Sequence, residues 1–500
     1  MSDVTPRTPE RPLFWSDMVL DLQDFLQAYE HPIYIVGGAV RDAYRHHPIK
    51  DLDLATPYDA IALGRKIANQ FNGDFYILDA ERDVSRVMVD TGEGLLVVDI
   101  ARFRSDTLLK DLSDRDFTLN AMAVDLRGDI SQLIDPLGGE SDLLKKILRR
   151  CSLQAISDDP VRGLRAVRQS VQLGARIESE TLKDIRANVA NLMGTSAERV
   201  RDEFFKILMS SEPAKALRVA DSIGLLEQIV PEVKTLHGVQ QPSPHIFDVW
   251  RHTLLVVEKL SGIFQTISYK RTDETAANFE FGMIVMSLDR FRQKLITHVQ
   301  QIGANDRSYV GIMLFSALIH DAGKPQLAKQ QGADETDYDF SKHEIIGKQI
   351  AEQRVIALRL SNDEKKRILA VIGNFHRPFE LADPSNLELH RFWYALGEYG
   401  VDVCLFALAD YLGAVSIELK QDEWVRCIKT IERLLRAYFE EYEQIVVPPQ
   451  VIDGNELMTV LNLKPSKQVG QLLTMIREGQ VTGEIVNRDD AIRIARQHLS

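Results

Sequence analysis

The sequence predicts an α+β protein of several domains, with a mixed β-sheet near the start and helices beyond it. Three observations carry this. The chain has 500 residues, more than one ordinary core accommodates, so about two to four domains are expected. Up to about residue 156, short apolar strand-like runs alternate with helical stretches. Beyond that point the strand signals stop and helical periodicity takes over.

Composition narrows the function classes. A hydrophobic fraction of 45% and a charged fraction of 27% read as soluble and globular. No apolar run approaches the ~18 residues of a membrane span; the longest, such as Gly311–Ile319, read as buried helix. Residues Met1–Pro12 are polar, without the apolar core of a signal peptide, and are expected to form a disordered arm of a cytoplasmic protein. Cys151, Cys404 and Cys427 are far apart and lack metal-ligand spacing, which fits a reducing compartment. The formal net charge of -13 argues against indiscriminate nucleic-acid binding. Its distribution is uneven: Lys145–Arg201 carries 12 Lys/Arg against 6 Asp/Glu, a local +6.

In chain order, residues 1–30 are read as an extension and 31–156 as the α/β head. Its expected strands are Ile33–Val36, Leu52–Ala55, Asp74–Leu78 and Leu95–Ile100. Residues 157–238 form a helical neck and 239–445 a larger helical domain holding most of the histidines. After the Val446-Val447-Pro448-Pro449 boundary, 446–500 form a small helical unit. The polar stretch Lys329–Asp339 is read as a loop between two helices.

The first chemical signal lies in the head. Ile33–Val36 is a buried strand ended by Gly37-Gly38, and a glycine pair lets backbone N–H groups approach a phosphate without Cβ interference. Arg41 follows on the opening turn of a helix, where it can pair with the same phosphates. Next comes Asp51-Leu52-Asp53-Leu54. Residues two apart on a strand share a face, so Asp51 and Asp53 stand side by side while Leu52 and Leu54 face the core. Adjacent carboxylates repel unless a cation joins them, and hard oxygen ligands suit Mg²⁺ bridged to substrate phosphates. Asp99, in the apolar run Leu96–Ile100, offers a third carboxylate whose charge is costly there unless paired or metal-bound. Three carboxylates can hold the two ions of a nucleotidyl-transfer centre. A lone Asp-x-Asp is most often only a strand end; the glycine pair upstream changes the odds.

The segment Gly37–Thr56 resembles the first motif of the class II tRNA nucleotidyltransferase and bacterial poly(A) polymerase family. Three more segments resemble its further motifs in the same order: Asp114–Ala121, Asp158–Arg168 and Ser196–Glu203. The likeness spans roughly residues 31–240. It implies a nucleotidyltransferase palm followed by an all-α neck. It implies catalytic carboxylates at Asp51, Asp53 and Asp99, with Mg²⁺ on Asp51 and Asp53, and nucleotide contacts from Gly37, Gly38, Arg41 and Arg115. Asp159 and Arg162 would read the base, and Arg165 and Arg168 would hold phosphate or primer. The base chemistry is direct: cytosine and adenine both set an exocyclic amino donor beside a ring-nitrogen acceptor, whereas uracil and guanine reverse the order. A carboxylate and a guanidinium three apart on one helix share a face and match the first pattern; an i,i+3 surface ion pair is the commonplace alternative.

Two departures stand out. Asp114 replaces the first Arg of the family's Arg-Arg-Asp motif, leaving Arg115 for the phosphate role. Only Ile100–Asp114 separates Asp99 from Arg115, where enzymes adding a whole CCA end resemble one another in a longer flexible loop. CC-adding enzymes lack that loop, so a CC- or A-adding specialist is an open alternative.

The helical half holds His245 and the ordered set His252, His320-Asp321, His343, His376 and Asp410. A His-Asp doublet ending an apolar helix is awkward to bury unless both groups are satisfied, and metal binding satisfies them. The set resembles the HD phosphohydrolase superfamily, which implies one or two divalent metals and hydrolysis of phosphomonoesters or cyclic phosphodiesters. Ile452–Leu457 also looks like the tail of nucleotidyltransferases fused to HD domains.

The expectation is therefore a template-independent transferase that adds C and/or A to the 3′ end of tRNA from CTP and ATP. The basic neck would grip RNA through phosphates and shape. A poly(A) polymerase is the same-class rival. An HD phosphohydrolase with a non-catalytic RNA-binding head is the rival from another class.

Overall fold

The computed structural model describes residues 5–92, 94–268, 278–303, 307–332, 338–415 and 419–499. The chain divides into two compact units, Met1–Glu203 with Val219–Gln228, and Phe204–Arg218 with Ile229–Ser500.

The first unit is built on a six-stranded sheet. Its elements run α1 (Asp17–Leu26), β1 (Tyr34–Val36), α2 (Gly38–Tyr44), β2 (Asp51–Thr56), α3 (Ala60–Phe71), β3 (Asp74–Asp79), β4 (Val84–Asp90), β5 (Leu95–Arg102), α4 (Leu108–Ser113), β6 (Ala123–Asp125) and α5 (Gly139–Leu144). The strand order is β3-β4-β5-β2-β1-β6. Only β2 and β5 pair in parallel; their other neighbours are antiparallel, so the sheet is mixed. One face is the main core, where Leu52, Leu54, Val98 and Ile100 meet Val19 and Leu22 of α1 and Leu63 and Ile67 of α3. α3 packs there because its buried Ala60, Leu63, Gly64, Ile67 and Ala68 fall on one helical stripe. The other face carries a smaller cluster, including Val36, Ala55, Leu108 and Leu112. It also carries the alternate side chains of β2, Asp51 and Asp53.

Two strands of the six-stranded sheet, β4 and β6, lay outside the sequence expectations, as did the two short strands of a second pair. In β4, Ser85, Val87 and Val89 are buried and Arg86 and Met88 half-buried, an alternation that is itself the strand signal. β6 has three residues, too few to show a period. Up to Glu203, where the first unit's main stretch ends, the segment 157–238 expected to be purely helical contains the end of α6 (Ala155–Asp158), α7 (Val161–Leu173), α8 (Ser179–Ala187) and the start of α9 (Ala197–Leu208). It also contributes a two-residue strand, β8 (Arg176–Ile177), parallel to β7 (Ile147–Leu148). The N-terminal arm is not wholly disordered. Arg7 exchanges two backbone hydrogen bonds with Leu133, at 2.9 and 2.8 Å, and its guanidinium reaches the buried carboxylates of Asp135 and Glu140 at 3.1 and 2.5 Å. Two acids sunk in the head need that cation, and the arm supplies it.

The second unit is helical. The helices Val249–Ile267, Tyr309–Ile319, Asn362–Ile372 and Tyr399–Val415 pack on one another, and Gly311–Ile319 is buried throughout. Of the polar stretch Lys329–Asp339, residues 333–337 lie outside the described residues. Its ends are joined by two hydrogen bonds between the Gln331 amide and the Asp339 backbone, both 2.8 Å. The last fifty residues hold three helices, Gly454–Leu461, Lys467–Thr482 and Arg488–Leu499, around their own core of Leu457, Leu472, Ile476, Ile485 and Ala491. No single helix among the described residues is long and apolar enough to cross a membrane.

Candidate functional site

A cavity of about 450 Å³ opens on the polar face of the sheet in the first unit. Gly37, between β1 and α2, has φ +76°, and a Cβ there would lie 2.7 Å from Asp53 Oδ2 and 3.2 Å from Arg115 Nη1. The glycine is thus the roof under which the Asp53 carboxylate fits. Asp51 is exposed beside it and Asp53 half-buried. Burial pushes the Asp53 carboxyl above the ordinary carboxylate range; Arg115 pulls it back, and Asp99 and Asp51 add to the push. A buried acid crowded by like charges is a place where a cation restores balance, so Asp51 and Asp53 fit a divalent ion.

Asp99 lies in register with Asp53 across the parallel β2–β5 pair. It does not line the cavity. Arg86 of β4, opposite it in the antiparallel register, donates Nε and Nη2 to its two oxygens at 2.7 and 2.9 Å.

Seven basic side chains line the cavity against four carboxylates, the basic ones being Arg41, Lys50, Arg104, Arg115, Arg162, Arg165 and Arg168. That excess suits a polyphosphate. Arg41 is fixed by Asp42, which accepts from Nε and Nη2 at 2.9 Å, and by Asn120 Oδ1 at 2.6 Å. Asn120 in turn donates to Asp116 at 3.0 Å and to Gln169 at 2.9 Å, and Asp116 pairs with Arg165 at 3.0 Å. Burial works to raise Asp116, but Arg165, Asn120 and the Phe117 N–H outweigh it and hold the acid ionised. Arg168 pairs with Glu203 at 2.5 Å.

The structure therefore gathers Gly37, Gly38, Arg41, Asp51, Asp53, Arg115, Arg162, Arg165 and Arg168 around one cavity. Asp159 faces a different opening, beside Arg199. Lys50, Arg104, Asp116, Asn120 and Gln169 were missed at the sequence level. Asp116 and Asn120 lie within the quoted Asp114–Ala121 segment, four apart, which was the available signal.

A second polar cluster sits inside the helical unit. His252 Nε2 lies 3.2 Å from Asp410 Oδ1 and 3.4 Å from His320 Nε2. His320 Nε2 lies 3.3 Å from Asp321 and 3.4 Å from Asp410. The Nδ1 atoms of His320 and His343 sit 2.8 and 2.7 Å from the Ala317 and Phe340 carbonyls. A carbonyl only accepts, so Nδ1 carries the proton and, in the neutral ring, Nε2 points its lone pair inward. His343 Nε2 is 3.3 Å from Asp321 Oδ1, yet both atoms are buried without a hydrogen-bond partner. Burial alone would lower His320; Asp321 and Asp410 overcome it and push it up to about 9, and both acids are held well below their usual range. His252, His320 and Asp410 bring one ligand atom each within 4.8 Å of one another, a set that fits a divalent metal. His376 is set apart, grouped with His343 and Glu344. Glu344 and Lys324, which donates to Asp321 at 2.7 Å, were not foreseen.

A mixed sheet presenting paired carboxylates to an arginine-lined cavity defines a nucleotidyltransferase head. Three family profiles match. "Poly A polymerase head domain" covers residues 33–108 and 104–149, "Probable RNA and SrmB- binding site of polymerase A" 174–236, and "tRNA nucleotidyltransferase domain 2 putative" 426–495. The chain is 28% identical over 462 residues to an A-adding tRNA nucleotidyltransferase of Deinococcus radiodurans, spanning 91% of this chain and 93% of that one. It is 27% identical over 477 residues to a CC-adding tRNA nucleotidyltransferase of Geobacter sulfurreducens, spanning 93% and 92%. A solved structure described as a CCA-adding enzyme complexed with ATP shares the fold, with TM-score 0.62, 19% identity and 97% of each chain covered. The chain is therefore similar, along nearly its whole length, to tRNA nucleotidyltransferases, and its head matches the poly(A) polymerase head model.

Proposed function

We propose that this chain attaches C and/or A to the 3′ end of tRNA, by attack of the terminal 3′-hydroxyl on the α-phosphate of CTP or ATP with release of pyrophosphate. The observation that carries it is the Asp51–Asp53 pair under Gly37, open to a cavity with seven basic side chains. Relatives along nearly the whole chain bear tRNA nucleotidyltransferase names. Asp51 and Asp53 would hold Mg²⁺, and Asp99 would complete the set only by giving up its pairing with Arg86. A metal held by these two carboxylates would supply a lowered pKa for the attacking hydroxyl and compensation for charge on the leaving pyrophosphate. The protein's own groups do the rest. Arg41, braced by Asp42 and Asn120, and Arg115 hold the triphosphate in line. Gly37 and Gly38 let the backbone approach it. Asp159 accepts from the exocyclic amino group of C or A and Arg162 donates to the ring nitrogen; Arg165 and Arg168 hold phosphate or primer. The basic stretch 145–201 would bind tRNA by its phosphates, so affinity falls as salt rises.

The test is Asp53→Ala with tRNA lacking its 3′ end: no incorporation of CTP or ATP is expected, and incorporation at the wild-type rate overturns the assignment. A product that stops after one to three nucleotides separates this activity from poly(A) synthesis. A specialist that adds only part of the CCA end is supported by the short path from β5, ending at Arg102, to α4, starting at Leu108. Supplying tRNAs that end before C, CC and CCA with each triphosphate alone distinguishes the cases. The buried group His252, His320 and Asp410, with Asp321 beside it and His343 and His376 in a neighbouring group, supports a second, metal-dependent phosphohydrolase activity of the HD type.

A further inference from the structure

Two amides in the wall of the head cavity are turned by their neighbours. A guanidinium only donates, so the atom of Asn120 that Arg41 Nη1 meets at 2.6 Å is Oδ1. Asn120 Nδ2 then faces the other way, donating to Asp116 Oδ1 at 3.0 Å and to Gln169 at 2.9 Å. The Gln169 atom that takes this bond is Oε1, because an N–H₂ group turned toward Nδ2 would set donor against donor. Arg41 and Asp116 thus fix both amides, and Gln169 Nε2 is the end left over. Gln169 lies on α7, is 4% exposed and lines the cavity. Among the described residues its Nε2 has no hydrogen-bond partner; the one bond of this side chain is the one to Asn120.

A buried N–H₂ group without an acceptor is costly, and folded proteins nearly always supply one. For Gln169 the acceptor has to come from the cavity. Two features say what kind it is. Nε2 only donates, so the partner is an oxygen with a free lone pair. Gln169 is also flanked on α7 by Arg165 and Arg168 and shares Asn120 with Arg41, and all three arginines line the same cavity. Their field favours an oxygen that carries negative charge. A neutral donor suits this place. A further cation would repel the seven basic side chains already there, whereas an amide adds a hydrogen bond to a phosphate oxygen without that repulsion.

We propose that Gln169 binds a phosphate oxygen of the incoming triphosphate through Nε2, as a neutral donor held in place by Asn120. The inference rests on the reading of this cavity as the triphosphate site. The full-length chain is tested as wild type, Gln169→Leu, Gln169→Glu and Arg41→Ala. Titration calorimetry measures the affinity for inorganic tripolyphosphate, and kcat and KM are measured for CTP and dCTP on tRNA lacking its 3′ end. Gln169→Glu keeps an oxygen for Asn120 but puts a charged acceptor where Nε2 stood; Gln169→Leu removes both. Both variants are expected to weaken tripolyphosphate by about tenfold or more, the scale of one hydrogen bond to a charged group, with Gln169→Glu the weaker binder. kcat/KM should fall by a similar factor for CTP and dCTP alike, chiefly through KM. If Gln169→Leu weakens binding and Gln169→Glu does not, the residue only braces Asn120 and the proposal is overturned. If only Gln169→Glu weakens it, repulsion by the new charge is the whole effect and the donor bond is absent. If tripolyphosphate binding is unchanged and CTP loses its advantage over dCTP, the donor serves the ribose instead. Unchanged binding in both Gln169 variants, with Arg41→Ala weakened, overturns the proposal while the triphosphate site stands. If Arg41→Ala also binds tripolyphosphate like wild type, the triphosphate reading of the cavity fails with it.

Discussion

Gly37→Ala places one methyl group where the structure has no room for it. The added Cβ would sit 2.7 Å from Asp53 Oδ2, about 0.7 Å inside ordinary contact at 3.4 Å, and 3.2 Å from Arg115 Nη1. The backbone cannot rotate to relieve this without leaving φ +76°, a left-handed value that costs a non-glycine residue about 1–2 kcal/mol. The Asp53 carboxylate must therefore shift, in a place where Asp99 and Asp51 already oppose its charge. Displacing a reacting group by about 1 Å costs on the order of 10²-fold in rate, so kcat should fall by about that factor. Single-turnover incorporation of labelled CTP into tRNA lacking its 3′ end, at saturating nucleotide, measures it. A variant within roughly threefold of wild type, far short of a 10²-fold misplacement penalty, refutes the claim that Gly37 exists to seat Asp53.

Two further outcomes are expected. In the helical unit, Arg307 donates to both oxygens of buried Glu364, at 2.6 and 2.9 Å; burial works to raise this acid, but Arg307 and Ser361 outweigh it and depress its pKa. Its stabilisation is therefore complete above the unfolded carboxyl value of about 4.3 and lost as pH falls through the lower folded value. Glu364→Gln should cost roughly 3 kcal/mol at pH 7 and flatten the acid limb of urea unfolding; curves parallel to wild type contradict this. Loading with Mn²⁺ or Zn²⁺ followed by elemental analysis should show a site lost in both His320→Ala and Asp410→Asn, with ring-opening of 2′,3′-cyclic nucleotides to nucleoside monophosphates lost alongside. Ring-opening that survives His320→Ala rules out the metal-dependent hydrolase.

What the sequence could and could not reveal follows from distance along the chain. Asp51 and Asp53 were legible because strand periodicity alone puts them on one face. Leu52 and Leu54, now in the core, are the other half of that alternation. Arg86 was invisible because its pairing with Asp99 depends on the β4–β5 register, which places Arg86 opposite Asp99. The Arg199–Asp159 bond spans 40 residues and no local pattern encodes it. Asp159 and Arg162 looked like a single reading pair from their spacing. The helix does keep them adjacent, but backbone carbonyls and a distant arginine decide where each side chain points. The histidines were found by their order, whereas their inward lone pairs come from two carbonyls, those of Ala317 and Phe340.

The separate core of the last three helices has a thermodynamic consequence. With the head built on its own sheet core and the chain divided into two compact units, one melting temperature does not describe it. Of its four tryptophans, only Trp15 lies in the first unit; Trp250, Trp393 and Trp424 lie in the second. Intrinsic fluorescence will therefore report chiefly the helical unit. A head destabilised at Gly37 can look intact by that signal, and calorimetry or hydrogen exchange on the sheet strands is the probe that sees it.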